Sequence, residues 1–399
     1  MRVVIVGAGQ TGAALAAKLR ALGHQGEIVM LGDEPSPPYQ RPPLSKGYLM
    51  GDMAADRLWL RAPDFWAENR IDLRLGQPVT AIDAAAQTVT VGGAALGYDA
   101  LALATGSTPR RLPGAIGGDL GGVYTVRTLA DVDAMREEFQ PGRRLVIVGG
   151  GYIGLEAAAV AAKLGLEVTV LEMAPRILQR VAAVETADHI RALHQAHGVT
   201  VLEATGLDRL EGGPRVTEAV LQDGRRLPAD FVIVGVGITP NTALAEAAGL
   251  TLANGIATDA FGRTSDPGIW AAGDCASFPH GEGRLRLESV GNAIDMAEAV
   301  AANILGAAQP YHAKPWFWSD QYDLKLQIAG LNTGFDHVMR REGDTGTSVW
   351  YYRGDTLLAV DAMNDPRAYM VGKRLIEAGR SPRPDAVRDA PDLKTLLTA

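Results

Sequence analysis

The sequence of 399 residues contains a single cysteine, Cys275. That excludes a disulfide within the chain, a Cys-x-x-Cys redox pair and a cysteine-based metal cluster carried by this chain alone. No apolar run reaches the roughly 18 residues that a membrane-spanning helix needs. A basic excess is also missing: 38 Lys and Arg stand against 46 Asp and Glu, a net charge of −8. Nucleic acid and anionic membranes are therefore not expected as partners. The chain opens with Val3-Val4-Ile5-Val6 running straight into Gly7. A charged segment followed by a long apolar one is absent, so no cleaved signal peptide is expected and the chain reads as cytoplasmic.

Glycine is abundant, at 47 residues, and much of it falls in a duplicated pattern. Val3 to Glu34 reads as strand, glycine turn, helix, strand and acid, and Leu145 to Glu172 repeats the order. Gly7 and Gly149 lie 142 residues apart (149 − 7). Each unit is followed by a second apolar run ending in glycine, Leu101 to Gly106 and Phe231 to Gly237. A repeat this long is a duplicated domain rather than a solenoid. The length calls for two or three domains. From about Trp316 the pattern changes: Leu324, Leu326 and Ile328 alternate, and Ser348 to Tyr352 and Thr356 to Val360 read as strands of a small α+β domain.

Gly7-x-Gly9-x-x-Gly12 follows a strand and opens a helix. The first glycine permits the turn, the second lets the backbone approach a pyrophosphate, and the third allows close helix–strand packing. Asp33 or Glu34 is the acid for the ribose. The second copy, Gly149-x-Gly151-x-x-Gly154, ends at Glu172, whose carboxylate suits a free ribose 2′-hydroxyl and repels a 2′-phosphate. This favours NADH over NADPH, although Arg176 and Arg180 downstream could serve a phosphate. Two dinucleotides imply a division of labour between a held flavin and an exchangeable hydride donor. Asp274, ending the run Ile269–Asp274, is a candidate for the flavin's ribitol or phosphate region, or a turn residue. His189, His194 and His197 fall in one helical stretch and read as a solvated surface; no metal site is expected.

Several segments, in order along nearly the whole chain, resemble ferredoxin reductases that serve cytochrome P450 and ring-hydroxylating dioxygenase systems. They are Pro38 to Lys46, Ala104 to Arg110, Gly149 to Glu156, Arg263 to Ser265, Gly273 to Ala276, Glu288 to Ala293 and Pro315 to Tyr322. The resemblance, of the putidaredoxin-reductase type, implies a glutathione-reductase-type α/β fold: two Rossmann-like dinucleotide-binding domains plus a small α+β C-terminal interface domain. It places the FAD domain at 1–109 and 238–315, the NAD domain at 110–237 and the interface domain at 316–399. FAD contacts are implied at Arg41, Lys46, Val79, Ala104, Thr105, Gly106, Asp274, Val290 and Trp318, beside Gly7, Gly9, Gly12, Asp33 and Glu34. NAD contacts are implied at Ile153, Glu156 and Gly237, beside Gly149, Gly151, Gly154 and Glu172. Lys46 is expected to pair with Glu156 close to flavin N5, where a cation would stabilise the reduced flavin.

The resemblance implies that peroxidases and oxidases of this fold carry a redox cysteine in the loop corresponding to Arg41–Lys46 and that its disulfide reductases need two; this chain has none in that loop and one in all. Cys275 reads as a packed residue. Trp316 and Trp318 either shield a flavin face and lead towards the acceptor, or pack an interface. The implied reaction is hydride transfer from NADH to FAD, then single electrons to a 2Fe-2S ferredoxin serving a P450 or dioxygenase. Arg284, Arg286, Lys314, Lys325, Arg340 and Arg341 are the candidates for a local basic docking patch. A rubredoxin reductase, an NADH oxidase and an NADH-sensing interaction protein of apoptosis-inducing-factor type remain as alternatives.

Overall fold

Val3–Val6, Ile28–Leu31 and Ala100–Leu103 are runs of four residues in which every side chain is buried. Continuous burial of this kind belongs to strands covered on both faces, the condition of a parallel sheet. In the computed structural model, which describes residues 1–344 and 346–398, these strands form a five-stranded parallel sheet. Its order is Ile269–Ala271, Ala100–Leu103, Val3–Val6, Ile28–Leu31, Ile71–Arg74. The chain steps outward on one side of Val3–Val6 and then returns on the other. The carboxyl end of that strand is thus a topological switch point, where open α/β sheets bind ligands. A three-stranded antiparallel flap, Val79–Asp83, Thr88–Val91 and Ala94–Gly97, precedes the return strand. Helices Gln10–Ala21 and Val290–Ile304 pack together, with Lys18 Nζ 2.8 Å from Glu298.

The chain divides into two compact units. The sheet just described belongs to the unit made of Met1–Gln40, Ala55–Thr108 and Ile238–Pro315; the other comprises Arg41–Ala54, Pro109–Gly237 and Trp316–Ala399. Arg41–Ala54, inside the first segment of the sequence-based division, packs with the second unit. That unit repeats the spatial arrangement, Thr200–Leu202, Glu167–Leu171, Arg144–Val148, Phe231–Val234 and Val123–Tyr124, all parallel, except that its outer strand Val123–Tyr124 precedes the glycine turn in the chain where Ile269–Ala271 follows it. A flap of Leu207–Gly212, Val216–Leu221 and Arg226–Pro228 again precedes the return strand.

The second unit also carries a five-stranded antiparallel sheet, ordered Trp316–Gln321, Leu324–Gly330, Thr356–Met363, Thr347–Arg353, His337–Glu342. Alternation splits its side chains between two cores. Trp350, Tyr352 and Val360 pack with helix Pro366–Glu377, while Val349, Tyr351 and Ala359 pack with Leu155, Ile177 and Ile190. That helix starts cleanly because Asp365 accepts from the Ala368 N–H at 3.0 Å and Pro366 needs no donor partner. Among the described residues no helix is long and apolar enough to cross a membrane.

Candidate functional site

In the first unit the glycine turn is forced by contact with the neighbouring strand. Gly7 has φ +116°, and a Cβ there would lie 2.1 Å from the Ala104 carbonyl oxygen. A Cβ on Gly12 would lie 1.9 Å from the Gly7 oxygen, whereas one on Gly9 would meet nothing within 4 Å. The turn is closed against protein at its two ends and open in the middle. Helix Gln10–Ala21 begins at Gly9 without a side-chain cap, which leaves its first N–H groups and positive dipole end for an anion.

Around this turn, Asp33 is exposed and Glu34 accepts from the Tyr39 hydroxyl at 2.5 Å. The Thr105–Gly106 turn is tied to Asn241. Thr105 Oγ1 donates to the Asn241 carbonyl (2.7 Å), Asn241 Nδ2 donates to the Thr105 carbonyl (2.8 Å), and the Asn241 N–H donates to the Gly106 carbonyl (2.9 Å). Ser107 Oγ donates to Asp274 at 2.8 Å. Val79 is half-buried on the flap, and Val290 opens helix Val290–Ile304 behind the capping Ser289. Sequence reasoning passes over Asn241 and Ser107, because Thr239-Pro240-Asn241 has only the composition of a boundary.

The second unit repeats the same contacts. Gly149 has φ +111° with a Cβ position 2.4 Å from the Gly235 oxygen; the Cβ of Gly154 would lie 2.3 Å from the Gly149 oxygen; Gly151 is open to 4 Å. The acid differs. The Gly7 N–H donates to Leu31 O and the Gly149 N–H to Leu171 O, each at 2.8 Å, so Leu31 and Leu171 correspond. Glu172 is therefore the counterpart of Gly32, and Asp33 and Glu34 are its neighbours by one and two residues rather than its equivalents. Glu172 accepts from the Gly150 N–H (2.8 Å) and the Ala174 N–H (2.7 Å), so its carboxylate is built into the turn. Arg176 donates to the Ala182 carbonyl at 2.7 Å, and Arg180 is exposed, its guanidinium 3.8 Å from the Cβ position of Gly237. Ile153, Met173 and Val236 are exposed apolar side chains on the three chain segments that form this cradle, at 45%, 75% and 38% exposure; sequence reasoning singles out only the first.

Helix Tyr152–Lys163 carries Glu156 into the interior, 1% exposed. Lys46 Nζ lies 2.5 Å from its Oε2, Ser45 Oγ donates to the same oxygen at 2.6 Å, and Ser319 Oγ donates to Oε1 at 2.8 Å. Burial pushes the Glu156 carboxyl up; the Lys46 charge and the two serines oppose the shift. Arg41 donates to the Arg127 carbonyl at 2.6 Å. Trp316 and Trp318 stack with ring centres 5.5 Å apart on the strand face opposite Ser319.

One histidine differs from the sequence reading. His194 is not a surface residue: it is fully buried, bonded to Gln321 at 2.8 Å and Tyr322 at 3.2 Å. Several of the docking arginines are also engaged. Arg284 donates to the Thr258 carbonyl, Arg286 is held by Glu288 at 2.6 Å and by the Asp274 carbonyl, Arg340 pairs with Glu342, and Arg341 donates to the Ala390 carbonyl. Lys314 and Lys325 are exposed. Cys275 is fully buried, its thiol directed at the Leu103 and Ala272 carbonyls and pushed up by burial.

Comparison with known proteins agrees with this arrangement. Residues 1–297 match the pyridine nucleotide-disulphide oxidoreductase family and residues 316–397 match the reductase C-terminal family. A ferredoxin–NAD(P)(+) reductase from a Sphingomonas species is 44% identical over 405 residues, covering 99% of this chain and 97% of the relative. The ferredoxin–NAD(+) reductase component of the anthranilate 1,2-dioxygenase system of Burkholderia cepacia is 42% identical over 405 residues, covering 99% and 98%. The reductase in the crystal structure of the covalent putidaredoxin reductase–putidaredoxin complex superposes with a TM-score of 0.95 at 42% identity, covering 100% of this chain and 98% of that one. With two glycine cradles of one design and this full-length similarity, the chain belongs to the pyridine nucleotide-disulphide oxidoreductase family.

Proposed function

We propose that the chain is an FAD-dependent NADH:ferredoxin reductase, taking hydride from NADH and delivering single electrons to a 2Fe-2S ferredoxin that serves a P450 or ring-hydroxylating oxygenase. The observation that carries this reading is the pair of cradles, each closed against protein at two glycines and open over the middle one, Gly9 and Gly151. A Cβ-free, anion-seeking helix start fits a dinucleotide pyrophosphate and little else of that size. Bound FAD supplies what no side chain here offers, acceptance of a hydride and release of electrons one at a time.

In this reading Gly7, Gly9 and Gly12 cradle the FAD pyrophosphate, Asp33 and Glu34 serve its ribose, and Ala104, Thr105, Gly106, Val79, Asp274 and Val290 complete the first unit's share. The resemblance adds Arg41, Lys46 and Trp318. Gly149, Gly151, Gly154, Ile153 and Gly237 receive NADH, with Glu172 as the acceptor for the adenosine ribose hydroxyls and Glu156 paired to Lys46 for the hydride transfer. The FAD domain comprises 1–109 and 238–315, the NAD domain 110–237 and the interface domain 316–399. A thiol relay is disfavoured even though the family name refers to one, because the sole cysteine is buried and its thiolate is penalised. Electrons must therefore leave to a separate molecule. The reductase names of the relatives and the putidaredoxin in the superposed complex support a ferredoxin as that molecule. A cytoplasmic place of action belongs to the same reading, since NADH is the donor.

The test is steady-state reduction of a panel of ferredoxins, with a rubredoxin included, comparing NADH and NADPH. At least one ferredoxin should be reduced, with kcat/KM about tenfold or more in favour of NADH. Flavin reduced by NADH that passes electrons to no ferredoxin contradicts the proposal, and a rubredoxin as the sole substrate redirects it.

A further inference from the structure

Glu156 has a second set of partners behind Lys46 and Ser45. Ser319 Oγ donates to its Oε1 at 2.8 Å, and Gln321 Nε2 donates to Ser319 Oγ at 3.0 Å. Gln321 Oε1 lies 2.8 Å from His194 Nε2, and His194 Nδ1 lies 3.2 Å from the Tyr322 hydroxyl. The exposed His197 ring stacks on Tyr322 with centres 3.7 Å apart. Ser319, Gln321 and His194 are at most 1% exposed. Helix Tyr152–Lys163, helix Val184–Ala196 and strand Trp316–Gln321 thus bring into one line polar groups that would be costly to bury singly.

The direction of the bonds is set at the carboxylate end. An ionised carboxylate only accepts, so Ser319 gives its single proton to Glu156 and must itself accept from Gln321. The Gln321 amide is then fixed with its oxygen towards His194, which must donate from Nε2. A neutral imidazole that donates from Nε2 accepts at Nδ1, so Tyr322 donates to it. Every proton in the series points towards Glu156. Such chains strengthen each member, and more so away from water.

We infer that Ser319, Gln321, His194 and Tyr322 are positioning residues that keep Glu156 a carboxylate through this one-way series of donated hydrogen bonds. The inference deepens the proposed function, resting on the reading that the Lys46–Glu156 pair serves hydride transfer. The series is needed because burial favours the protonated acid. The charged group facing Glu156 is Lys46, from Arg41–Ala54; Ser45 faces it from the same segment and Ser319 from the strand. Burial holds His194 down to about 4, with the nearby His197 adding to the effect, so it stays a neutral donor at ordinary pH.

The test is a carboxyl NMR titration of Glu156 in FAD-loaded protein carrying labelled glutamate, assigned with Glu156→Gln. Ser319→Ala should raise the midpoint by about one pH unit, a tenfold change in proton affinity. Tyr322→Phe, at the far end, should raise it by a smaller amount, and Ser319→Thr should restore it. In the same variants, loss of flavin reduction rate by NADH should grow as pH falls; a merely structural defect would lower the rate evenly. An unmoved midpoint in Ser319→Ala and Tyr322→Phe overturns the inference, and so does failure of Ser319→Ala to fold accompanied by an unmoved midpoint in Tyr322→Phe. If the midpoints move while Glu156→Gln reduces its flavin normally, the donor series stands and the catalytic reading of Glu156 fails.

Discussion

The two glycine cradles share a backbone and differ in what surrounds it. In both, the first glycine abuts the return strand, the third abuts the first, and the middle one is open. The first cradle's return turn is then tied by the Asn241 side chain, and the position after its second strand is Gly32. The second cradle's return turn is held by the backbone instead, the Arg110 N–H donating to the Gly237 carbonyl at 2.9 Å, and Glu172 occupies the position of Gly32. The residue opening each helix differs as well: Gln10 and Tyr152 are both half-buried, but Tyr152 sends its hydroxyl inward, near Asp361 and Tyr351. The backbone motif therefore specifies that a dinucleotide binds. In the proposed reading its surroundings hold the flavin in one copy, through the Asn241 side chain, and select by the Glu172 charge in the other.

The largest effect expected is from the glycines that meet backbone. Gly7→Ala and Gly149→Ala each force a Cβ into a carbonyl oxygen at positive φ, a penalty of about 3–5 kcal/mol. Gly7→Ala should purify without flavin or not at all. Gly149→Ala should remain yellow and lose about 100-fold or more in reduction by NADH. Absorption spectra and stopped-flow reduction decide, and the comparison breaks if both variants lose the same cofactor.

Next is the support beneath the second cradle. Asp361 is fully buried, accepts from Thr186 at 2.8 Å and from Tyr351, and is pushed up from 3.8 to about 6 by burial. A raised folded pKa on an acid means that its contribution is present below the unfolded value and is lost as pH rises through about 6. The difference amounts to at most about 3 kcal/mol. Asp361→Asn can keep an acceptor for both hydroxyls and removes the buried charge. It should therefore melt above the wild type at pH 8, with the gap closing below pH 4.

Asn241→Ala removes two side-chain hydrogen bonds, to Thr105 and Thr108, worth about 1–3 kcal/mol together. Flavin should be lost faster on dialysis while NADH affinity is retained, sharpening the contrast between a turn tied by a side chain and one held by the backbone. The smallest effect is expected of Glu172→Gln, which halves the acceptors offered to the turn and removes the charge that repels a 2′-phosphate. The NADH-to-NADPH ratio of kcat/KM should fall about tenfold, roughly 1.4 kcal/mol, and Asp33→Asn should leave that ratio alone.

The cradles were legible because their chemistry is local. Glycine spacing, flanking apolar runs and the order of elements lie within about thirty residues, and a positive-φ turn admits little but glycine. What escaped depends on distant partners. His194 lies on a helix whose polar neighbours suggest solvent, but the residue that claims it, Gln321, is 127 positions away. Arg284 and Arg286 supply charge in sequence, yet carbonyls at 258, 277 and 274 absorb their donors. The strand read as Thr356 to Val360 runs on to Met363, which places Asp361 inside it and buried. Lys46 and Glu156 carry no spacing signal at all, and only the family resemblance joined them.

Anaerobic titration of the purified protein with NADH, followed by absorption, tests the central claim most directly. The account predicts a yellow protein holding one flavin per chain, bleached by one equivalent of NADH and recoloured by oxidised ferredoxin. A colourless polypeptide that refuses added FAD, or a bound flavin that NADH leaves oxidised, would contradict it.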